Sequence, residues 1–303
     1  MLTRWFNKNV RDIGFLGSIL RWVILLIFLI YFVIPMIWLL IAPSKDTPQF
    51  SSLNPLAFGS IAQYFAAWKN VFSYQNSEVF LWFRNSFFYV LYSLLGSLAI
   101  GLPAGYALAI MRFPGRSLML WLTLITMLLP TSALVLPLFM ELNLVHLVNT
   151  PWAVILPACF FPFGVYLTYI YYSSSLPSEL VDAARVDGAS EFDVFLHIAL
   201  PLAKPLLGLL AFICFNANWN NYFGPYVLLN DDKLFTLPVG IQTVLGSTSA
   251  LQPGFNPNPG GIHFQYAEAA VSGLIMIVPV VIIFLLSQRY VISGAFTGSV
   301  KGQ

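Results

Sequence analysis

Charged side chains are scarce in this sequence. Only 9% of the 303 residues are Asp, Glu, Lys or Arg, whereas 58% are hydrophobic. A soluble globular domain carries about 25% charged residues, so this chain has too few to cover a water-facing surface of its size. Aromatic residues make up 16% of the chain, which fits lipid-facing and interfacial positions. The composition therefore predicts an integral membrane protein.

Residues that usually support catalysis or metal binding are also few. The two cysteines, Cys159 and Cys214, lie inside apolar runs, which favours packed thiols over a disulfide. His146, His197 and His263 stand in separate segments, so we expect no metal site. The sequence has no G-x-S-x-G elbow, and no lysine follows a glycine, which excludes a Walker A loop. If ATP drives this protein, another chain binds it.

Apolar runs long enough to cross a bilayer recur along the chain, since about 20 residues of helix span the hydrocarbon core. In the second run Gly101, Gly105 and Ala109 form a row of small residues that allows another helix to approach closely. The third is expected to break near Pro130 and Pro137. The runs predict six transmembrane helices, at 22–42, 83–111, 118–140, 152–172, 206–229 and 266–290. Between the first two, residues 61–72 form either a short interfacial helix or a plain loop.

The distribution of lysine and arginine predicts the orientation of these spans. Six spans place both termini on one side of the membrane. The opposite side then holds Lys45, Lys69, Arg84 and Lys233, and the side of the termini holds the other ten of the 14 basic residues. Because basic residues concentrate on the cytoplasmic side, we expect both termini in the cytoplasm. The net charge of +2 gives no reason to expect nucleic acid as a partner.

The stretch 173–205 is the longest part of the second half that is neither continuously apolar nor loop-like. Leu180, Ala183 and Ala184 follow one another at helical spacing and form a small apolar face. Gly188 is able to take the left-handed conformation that ends a helix. The stretch therefore begins with a predicted helix and a glycine turn.

A second short helix is expected to follow the glycine turn. Ser190 is a favourable N-cap, with Asp193 three residues later. Pro201 and Pro205 are expected to break this helix and to open the next apolar run.

A family resemblance is carried by this stretch. The residues DAARVDGAS at 182–190, then Phe195, Ile198, Leu200-Pro201 and Pro205, resemble the "EAA" motif of ATP-binding-cassette importer permeases. Asp182 stands where the family usually has Glu, so the charge is kept. In that family the loop is a cytoplasmic coupling helix that docks into a groove of the ATPase subunit. The resemblance implies ATPase-coupling roles for Glu179, Leu180, Asp182, Ala183, Ala184, Asp187, Gly188, Ala189 and Phe195.

Further segments extend the resemblance to the carbohydrate-importer branch. They include GYALA at 105–109, RFPGR at 112–116 and WNNY at 219–222. The end of the chain, 288–302, is similar to the tail of the second, maltose-type permease subunit. The implied fold is the all-α type I ABC importer permease fold, with six transmembrane helices and a cytoplasmic coupling helix. The implied organisation is a cytoplasmic N-terminus at 1–21, a single transmembrane permease domain at 22–291 and a cytoplasmic tail at 292–303.

The resemblance also implies the function and the partners. The chain is expected to be a permease subunit of an ATP-driven sugar importer in the plasma (inner) membrane of a prokaryote, and not itself an enzyme. ATP and Mg²⁺ would be bound by partner ATPase subunits, with no cofactor, metal or catalytic residue in this chain. The expected partners are a second homologous permease subunit, an ABC ATPase dimer, an extracytoplasmic sugar-binding protein, the carbohydrate substrate and membrane lipids.

An amide-rich segment at the end of the predicted fifth span suggests a substrate pathway. Amides are costly in lipid, so they should face a cavity or a neighbouring helix. Amide groups beside an aromatic ring also suit a sugar, which offers hydroxyls on its edge and C–H groups on its face. Interhelical hydrogen bonding remains the other interpretation. The candidate pathway residues are Asn216, Trp219, Asn220 and Asn221, with Asn218 beside them.

The predicted outer loop, 230–265, contains the run QPGFNPNPGG, whose prolines and glycines exclude a helix or a central strand. A long loop without regular structure is usually functional or disordered. In the maltose-type subunit the equivalent loop enters the ligand cleft of the docked binding protein, which implies that role for Phe255, Asn256 and Asn258. An idle insertion is the alternative.

The resemblance also implies a role for the C-terminal tail, because the tail of the maltose-type subunit reaches into the ATPase pair. A disordered chain end is the alternative.

Two functions from other classes are weighed against the importer. An ion-coupled secondary transporter usually carries acids or bases within the bilayer, whereas here Arg84 and Glu268 sit at span ends. A membrane enzyme would need clustered His, Asp or Glu at a span end, and the sequence has no such cluster.

Overall fold

The computed structural model describes residues 15–246 and 264–297. These residues form helices joined by turns, with no strand among them, as the family resemblance implies. The helices are α1 (Phe15–Ile41), α2 (Ile61–Ser73), α3 (Glu78–Ile110), α4 (Arg116–Leu128), α5 (Thr131–Leu144), α6 (Pro151–Cys159), α7 (Pro162–Ser175), α8 (Ser178–Val186), α9 (Glu191–Leu202), α10 (Lys204–Trp219), α11 (Phe223–Leu228), α12 (Leu237–Gly246) and α13 (Tyr266–Thr297). Single turns of helix occur at Ala42–Ser44, Gln49–Ser52, Tyr74–Asn76 and Asp232–Leu234.

Several helices are long and apolar enough to cross a membrane. Two further candidates are bent pairs: α4 with α5 at 107° and α9 with α10 at 79°. The described residues therefore contain four candidate spans, or up to six if each bent pair is one span. The predicted number of six lies within this range. The four other candidates are Gly17–Ser44, Glu78–Ile110, Pro151–Ser175 and Tyr266–Tyr290, of which Pro151–Ser175 comprises α6 and α7.

The predicted third span is two helices rather than one. Leu129 is extended, with ψ 131°, at the end of α4, and Pro130 follows it. Proline disfavours the helical conformation of the residue before it, so the expected break near Pro130 is confirmed. The expected break at Pro137 is wrong, because that residue lies inside α5.

The predicted fifth span is too long. α10 ends at Trp219, and the separate α11 follows at Phe223–Leu228. The side-chain amides of Asn218 and Asn220 each donate to the carbonyl oxygen four residues earlier, at 2.9 Å. Asparagine is a poor helix former that competes for backbone hydrogen bonds, which explains why the helix stops at this cluster.

The described residues divide into two compact units, 15–71 with 264–274 and 72–246 with 275–297. In the first, the buried Lys45 donates from Nζ to the carbonyl oxygens of Asn54 (2.9 Å) and Pro55 (2.8 Å). The buried Glu268 lies in the first turn of α13, where acids interact favourably with the helix dipole. Its Oε1 accepts from Asn70 Nδ2 at 2.9 Å.

In the second unit, α3 is the central helix and packs against α6, α7, α10 and α12. Its row of small residues is the contact with α7. A Cβ atom added to Gly105 would lie 2.4 Å from Thr168 Cβ, and one added to Gly101 would lie 3.8 Å from Val165 N. The predicted close approach of another helix is therefore confirmed.

One face of α3 also holds the backbone of segment 232–237. Asn85 Nδ2 donates to two carbonyl oxygens of this segment, at 2.8 and 3.1 Å. Trp82 Nε1 and Tyr89 Oη each donate to a further carbonyl oxygen, at 2.8 and 3.2 Å. Ser86 Oγ accepts from the N–H of Leu237 at 2.7 Å. These four side chains recur at helical spacing, so the segment is fixed along a single face of α3.

We expect Asn85→Ala to destabilise this unit by about 2 kcal/mol, because it removes two hydrogen bonds and leaves the carbonyl oxygens without their donor. The measurement is the free energy of unfolding in mixed micelles. Asn143→Ala is the matched control, since Asn143 is exposed. An equal effect of the two substitutions would contradict the assigned role of Asn85.

Candidate functional site

Stretch 173–205 folds as a helix, a glycine turn and a second helix. α8 ends at Val186, and Gly188 follows with φ +86°. This confirms the left-handed turn. A Cβ atom added to Gly188 would meet nothing within 4 Å. Backbone conformation, rather than space, therefore makes glycine the favoured residue here.

The second helix begins with the predicted N-cap. Ser190 Oγ accepts from Asp193 N, and Asp193 Oδ2 accepts from Ser190 N, each at 3.2 Å, which completes a capping box. Hydrogen bonds from the side chain and backbone of Ser190 lower the pKa of Asp193. The ionised carboxylate therefore stabilises the cap above the ordinary Asp pKa, and this contribution is lost as pH falls through the lowered pKa.

α9 continues further than the prolines predict. Residues Phe195–Ala199 form a π-helical turn, and Pro201 lies within the helical turn Leu200–Leu202. The expected break at Pro201 is therefore wrong. The chain turns at Ala203 instead, and Pro205 lies in the first turn of α10, where its missing N–H has no helical partner to lose.

One side of the stretch is packed into the core of the second unit. Val181 and Val194 are buried in a cluster with Tyr106 and Tyr172. Phe195 is buried in the same cluster, so it supports the stretch from within. Ala184 and Ala189 are half-buried against this cluster.

The other side of α8 is exposed. Leu180 is 47% exposed, and Ala183 points outward with it, so the predicted apolar face divides between Ala183 and the inward Ala184. Val186, at 88%, extends the exposed apolar surface, and it lies three residues beyond Ala183, a spacing that could have revealed it. Contiguous exposed apolar patches with a polar rim mark interaction sites, and on this face Leu180, Ala183 and Val186 recur at three-residue spacing among acidic residues. The outward α8 face consists of Glu179, Leu180, Asp182, Ala183, Val186 and Asp187.

Arg185 connects the two helices of the stretch. Its Nε donates to Glu191 Oε1 at 2.8 Å, and its Nη1 donates to Asp182 Oδ1 at 3.1 Å. The hydrogen bond to Glu191 raises the pKa of Arg185. Tyr106 Oη of α3 donates to the other oxygen of Glu191 at 3.3 Å. Sequence reasoning missed both Arg185 and Tyr106, although the i,i+3 spacing of Asp182 and Arg185 is a recognisable local pair.

The amide-rich segment places only part of the predicted pathway at the surface. Trp219 is buried, its indole N–H donates to Met276 O at 2.9 Å, and its ring stacks on Phe215. Asn216 and Asn220 are exposed and bonded to each other, with Asn220 Nδ2 donating to Asn216 Oδ1 at 3.0 Å. Asn221 is also exposed, and its Oδ1 accepts from a backbone N–H at 3.3 Å.

The remaining predicted sites fall partly outside the described residues. Phe255, Asn256 and Asn258 lie there, as do residues 298–303 of the tail. α13 continues to Thr297, so the predicted tail begins within a helix. In the part of the chain that the structure describes, no three His, Cys, Asp or Glu residues are grouped to hold a metal ion.

We expect Arg185→Ala to loosen the glycine turn without unfolding the protein. Its ion pairs are partly exposed, and such pairs contribute about 0–1 kcal/mol. Amide hydrogen exchange over 186–193 should therefore rise by up to about fivefold, while global stability changes little. The control is Arg112→Ala, which changes an exposed arginine in a different turn. It should leave amide exchange over 186–193 unchanged. The assignment fails if exchange over 186–193 does not respond to loss of Arg185.

Comparison with known proteins gives a family match that includes this site. Residues 101–295 match the family described as "Binding-protein-dependent transport system inner membrane component". The arabinooligosaccharides transport system permease protein AraQ of Halalkalibacterium halodurans is 39% identical over 222 residues, which is 73% of this chain and 74% of AraQ. The lactose transport system permease protein LacG of Rhizobium radiobacter is 30% identical over 275 residues, which is 89% of this chain and 91% of LacG.

A solved structure shares the fold. A chain in the crystal structure of a bacterial ABC transporter involved in the import of the acidic polysaccharide alginate matches with a TM-score of 0.77 and 21% identity. The match covers 91% of this chain and 96% of that one, which confirms the predicted permease fold. The extent of the family match and the identity to AraQ together show that this chain belongs to the family of inner membrane components of binding-protein-dependent transport systems.

Proposed function

We propose that this chain is one of two transmembrane permease subunits of an ATP-driven importer for sugars of the di- or oligosaccharide class. The observation that carries the proposal is the outward α8 face, which lies within the matched range and offers exposed apolar side chains to a partner. Relatives named for arabinooligosaccharide and lactose transport support the substrate class. The site of action is the inner membrane of a prokaryote.

ATP hydrolysis is assigned to a separate ABC ATPase dimer that binds ATP and Mg²⁺. The sequence supports this division, because no lysine follows a glycine as a Walker A loop requires. The ATPase docks on the outward α8 face, and its closure moves α8 together with the glycine turn as one unit. Contacts of Arg185 with Glu191, and of Glu191 with Tyr106, transmit this movement to α3.

The distribution of basic residues supports an orientation with both termini and α8 in the cytoplasm. A second homologous permease subunit completes the pore, and an extracytoplasmic binding protein delivers the sugar. One solved relative of the fold is a bacterial alginate ABC transporter in complex with an alginate pentasaccharide-bound periplasmic protein, which supports such a partner by analogy alone.

The exposed amides of Asn216, Asn220 and Asn221 are proposed to face the pathway, with Trp219 packed behind them. Two parts that lie wholly or partly outside the described residues complete the proposal. The loop residues Phe255, Asn256 and Asn258 contact the binding protein, and the tail reaches the ATPase pair. Sugar uptake tests each role separately. Uptake that is unchanged by the double substitution Asn220→Ala with Asn221→Ala would contradict the pathway role. Uptake that is unchanged by deletion of 253–260, or by deletion of 299–303, would contradict the binding-protein contact or the ATPase contact, respectively.

The uptake of radiolabelled arabinooligosaccharide into proteoliposomes that contain the chain with its partner subunits tests the function. We expect uptake to require ATP and the binding protein, and to persist when ionophores collapse the ion gradients. Lactose is the second probe. Uptake that proceeds without ATP and disappears with the gradients would establish the ion-coupled secondary transporter instead.

The glycine turn gives a sharper test of coupling. Gly188→Leu places a bulky residue at a positive φ, which costs about 1–2 kcal/mol, so we expect ATP-driven uptake to fall about fivefold or more. Gly188→Asn should retain most of the uptake, because asparagine tolerates this conformation. Ala184→Trp is less informative, because Ala184 packs on the chain's own core. Equal uptake by the two Gly188 variants would contradict the coupling role of the turn.

A further inference from the structure

A small polar cavity lies in the second unit, where α3 meets α6, the end of α10 and segment 232–237. Its volume is about 10 Å³, which is close to the space that one water molecule needs. None of the residues that line it is charged. They are Ser86, Tyr89, Val90, Ser93, Val154, Asn218, Asn221 and Thr236.

Two of the lining hydroxyl groups are buried without a protein partner. Ser93 is 1% exposed and Thr236 is 5% exposed. Among the described residues, neither side-chain oxygen has a hydrogen-bond partner. Buried polar groups in folded proteins are nearly always paired with protein or ordered water. Two unpaired hydroxyls on the wall of one cavity therefore indicate that a group from outside the chain binds there.

Two other buried hydroxyls of the second unit, those of Ser97 and Thr168, are paired, whereas those of Ser93 and Thr236 are not. Ser97, one turn along α3 from Ser93, donates to the carbonyl oxygen of Ala158 at 2.8 Å. Thr168 donates to Gly164 O of its own helix at 2.7 Å. Ser93 has the same type of carbonyl available four residues earlier in α3 and does not bond to it. Its hydroxyl lines the cavity instead.

We propose that this cavity is a binding site for one neutral hydroxyl group, supplied either by water or by the carbohydrate substrate. Serine and threonine hydroxyls each donate once and accept twice. A hydroxyl ligand also donates and accepts, so it complements both. Since no charged residue lines the cavity, a metal cation or a phosphate would remain uncompensated there.

The two amides of the cavity supply further partners of both kinds. Asn218 Nδ2 donates to Cys214 O at 2.9 Å, which leaves its side-chain oxygen as an acceptor. Asn221 Oδ1 accepts from Gly224 N at 3.3 Å, which leaves its amide N–H groups as donors. The cavity lining therefore offers a bound hydroxyl the side chains of Ser93, Thr236, Asn218 and Asn221, and an ordered water needs two to four such partners.

The cavity lies between several elements of the second unit, so a ligand bound in it connects them. Ser93 belongs to α3, Asn218 belongs to the last turn of α10 and Asn221 follows that helix, and Thr236 belongs to segment 232–237, which is hydrogen-bonded to α3. A hydroxyl in the cavity bridges these elements, so movement of α10 relative to α3 changes its coordination. The carbohydrate source of the hydroxyl rests on the proposed function, whereas the water source is independent of it.

Cryo-electron microscopy of the reconstituted complex, with and without arabinooligosaccharide, tests the proposal at a resolution that shows ordered water. We expect density for one oxygen atom at about 2.5–3.0 Å from both Ser93 Oγ and Thr236 Oγ1. Isolated density in both states identifies water, and density continuous with a sugar ring in the loaded state identifies the substrate. The absence of density in both states, or rotation of the two hydroxyls onto protein acceptors, would overturn the site.

Substitutions separate a binding role from a packing role. Ser93→Ala with Thr236→Val should remove the density, whereas Thr236→Ser, which keeps a hydroxyl, should retain it. Thr168→Val is the control, because that buried hydroxyl is already paired within its helix. Density that persists in the double variant, or that disappears equally in the control, would contradict the proposal.

The uptake assay assigns the source of the hydroxyl. If the substrate supplies it, the double variant should raise the half-saturating arabinooligosaccharide concentration roughly two- to tenfold, the effect of losing about one hydrogen bond. An unchanged concentration together with lost density identifies water. If the wild-type complex shows no ATP-driven uptake, the proposed function fails, while the density measurement still decides whether the site exists.

Discussion

The burial of Tyr106 between α7 and α9 is the contact on which the position of stretch 173–205 depends. Its ring lies 5.6 Å from that of Tyr172 and 5.4 Å from that of Phe195, measured between centroids, and its hydroxyl reaches Glu191. The same helix, α3, holds segment 232–237 through Trp82, roughly 36 Å away at 1.5 Å of rise per residue. A single helix of 33 residues thus connects a polar cavity and a fixed segment with the site that is proposed to meet the ATPase.

One face of α8 packs against the protein core, and the opposite face is exposed and is proposed to bind the partner. Each buried valine, Val181 and Val194, contributes about 1.5–3 kcal/mol relative to an exposed one. The two partly exposed ion pairs of Arg185 contribute about 0–1 kcal/mol each to stability. Packing therefore holds the stretch in place, and the Arg185–Glu191 ion pair adds one polar contact between its two helices. The outward α8 face remains available because its own side chains carry little of this stability.

Features encoded within a few residues were predictable from the sequence. The Gly188 turn, the Ser190 cap and the break at Pro130 each follow from local backbone chemistry, and the structure has all three. The hydrogen bond between Tyr106 and Glu191 connects residues that are 85 positions apart in the sequence. The hydrogen bond from Trp82 to the carbonyl oxygen of Asp232 connects residues that are 150 positions apart. No local pattern points to such pairs. For the same reason, the sequence alone did not predict that Ala184 packs inward or that α10 ends at its asparagine cluster, and both became clear only from the structure.

The central claim is that the outward α8 face is the surface on which the ATPase docks. It is tested most directly by cysteine cross-linking in the assembled complex, in a background with Cys159 and Cys214 replaced by alanine. The account predicts that Ala183→Cys and Val186→Cys cross-link to the ATPase subunit with a short bifunctional reagent, while the inward Ala184→Cys does not. Equal cross-linking of all three positions, or cross-linking of none of them in an active complex, would contradict it.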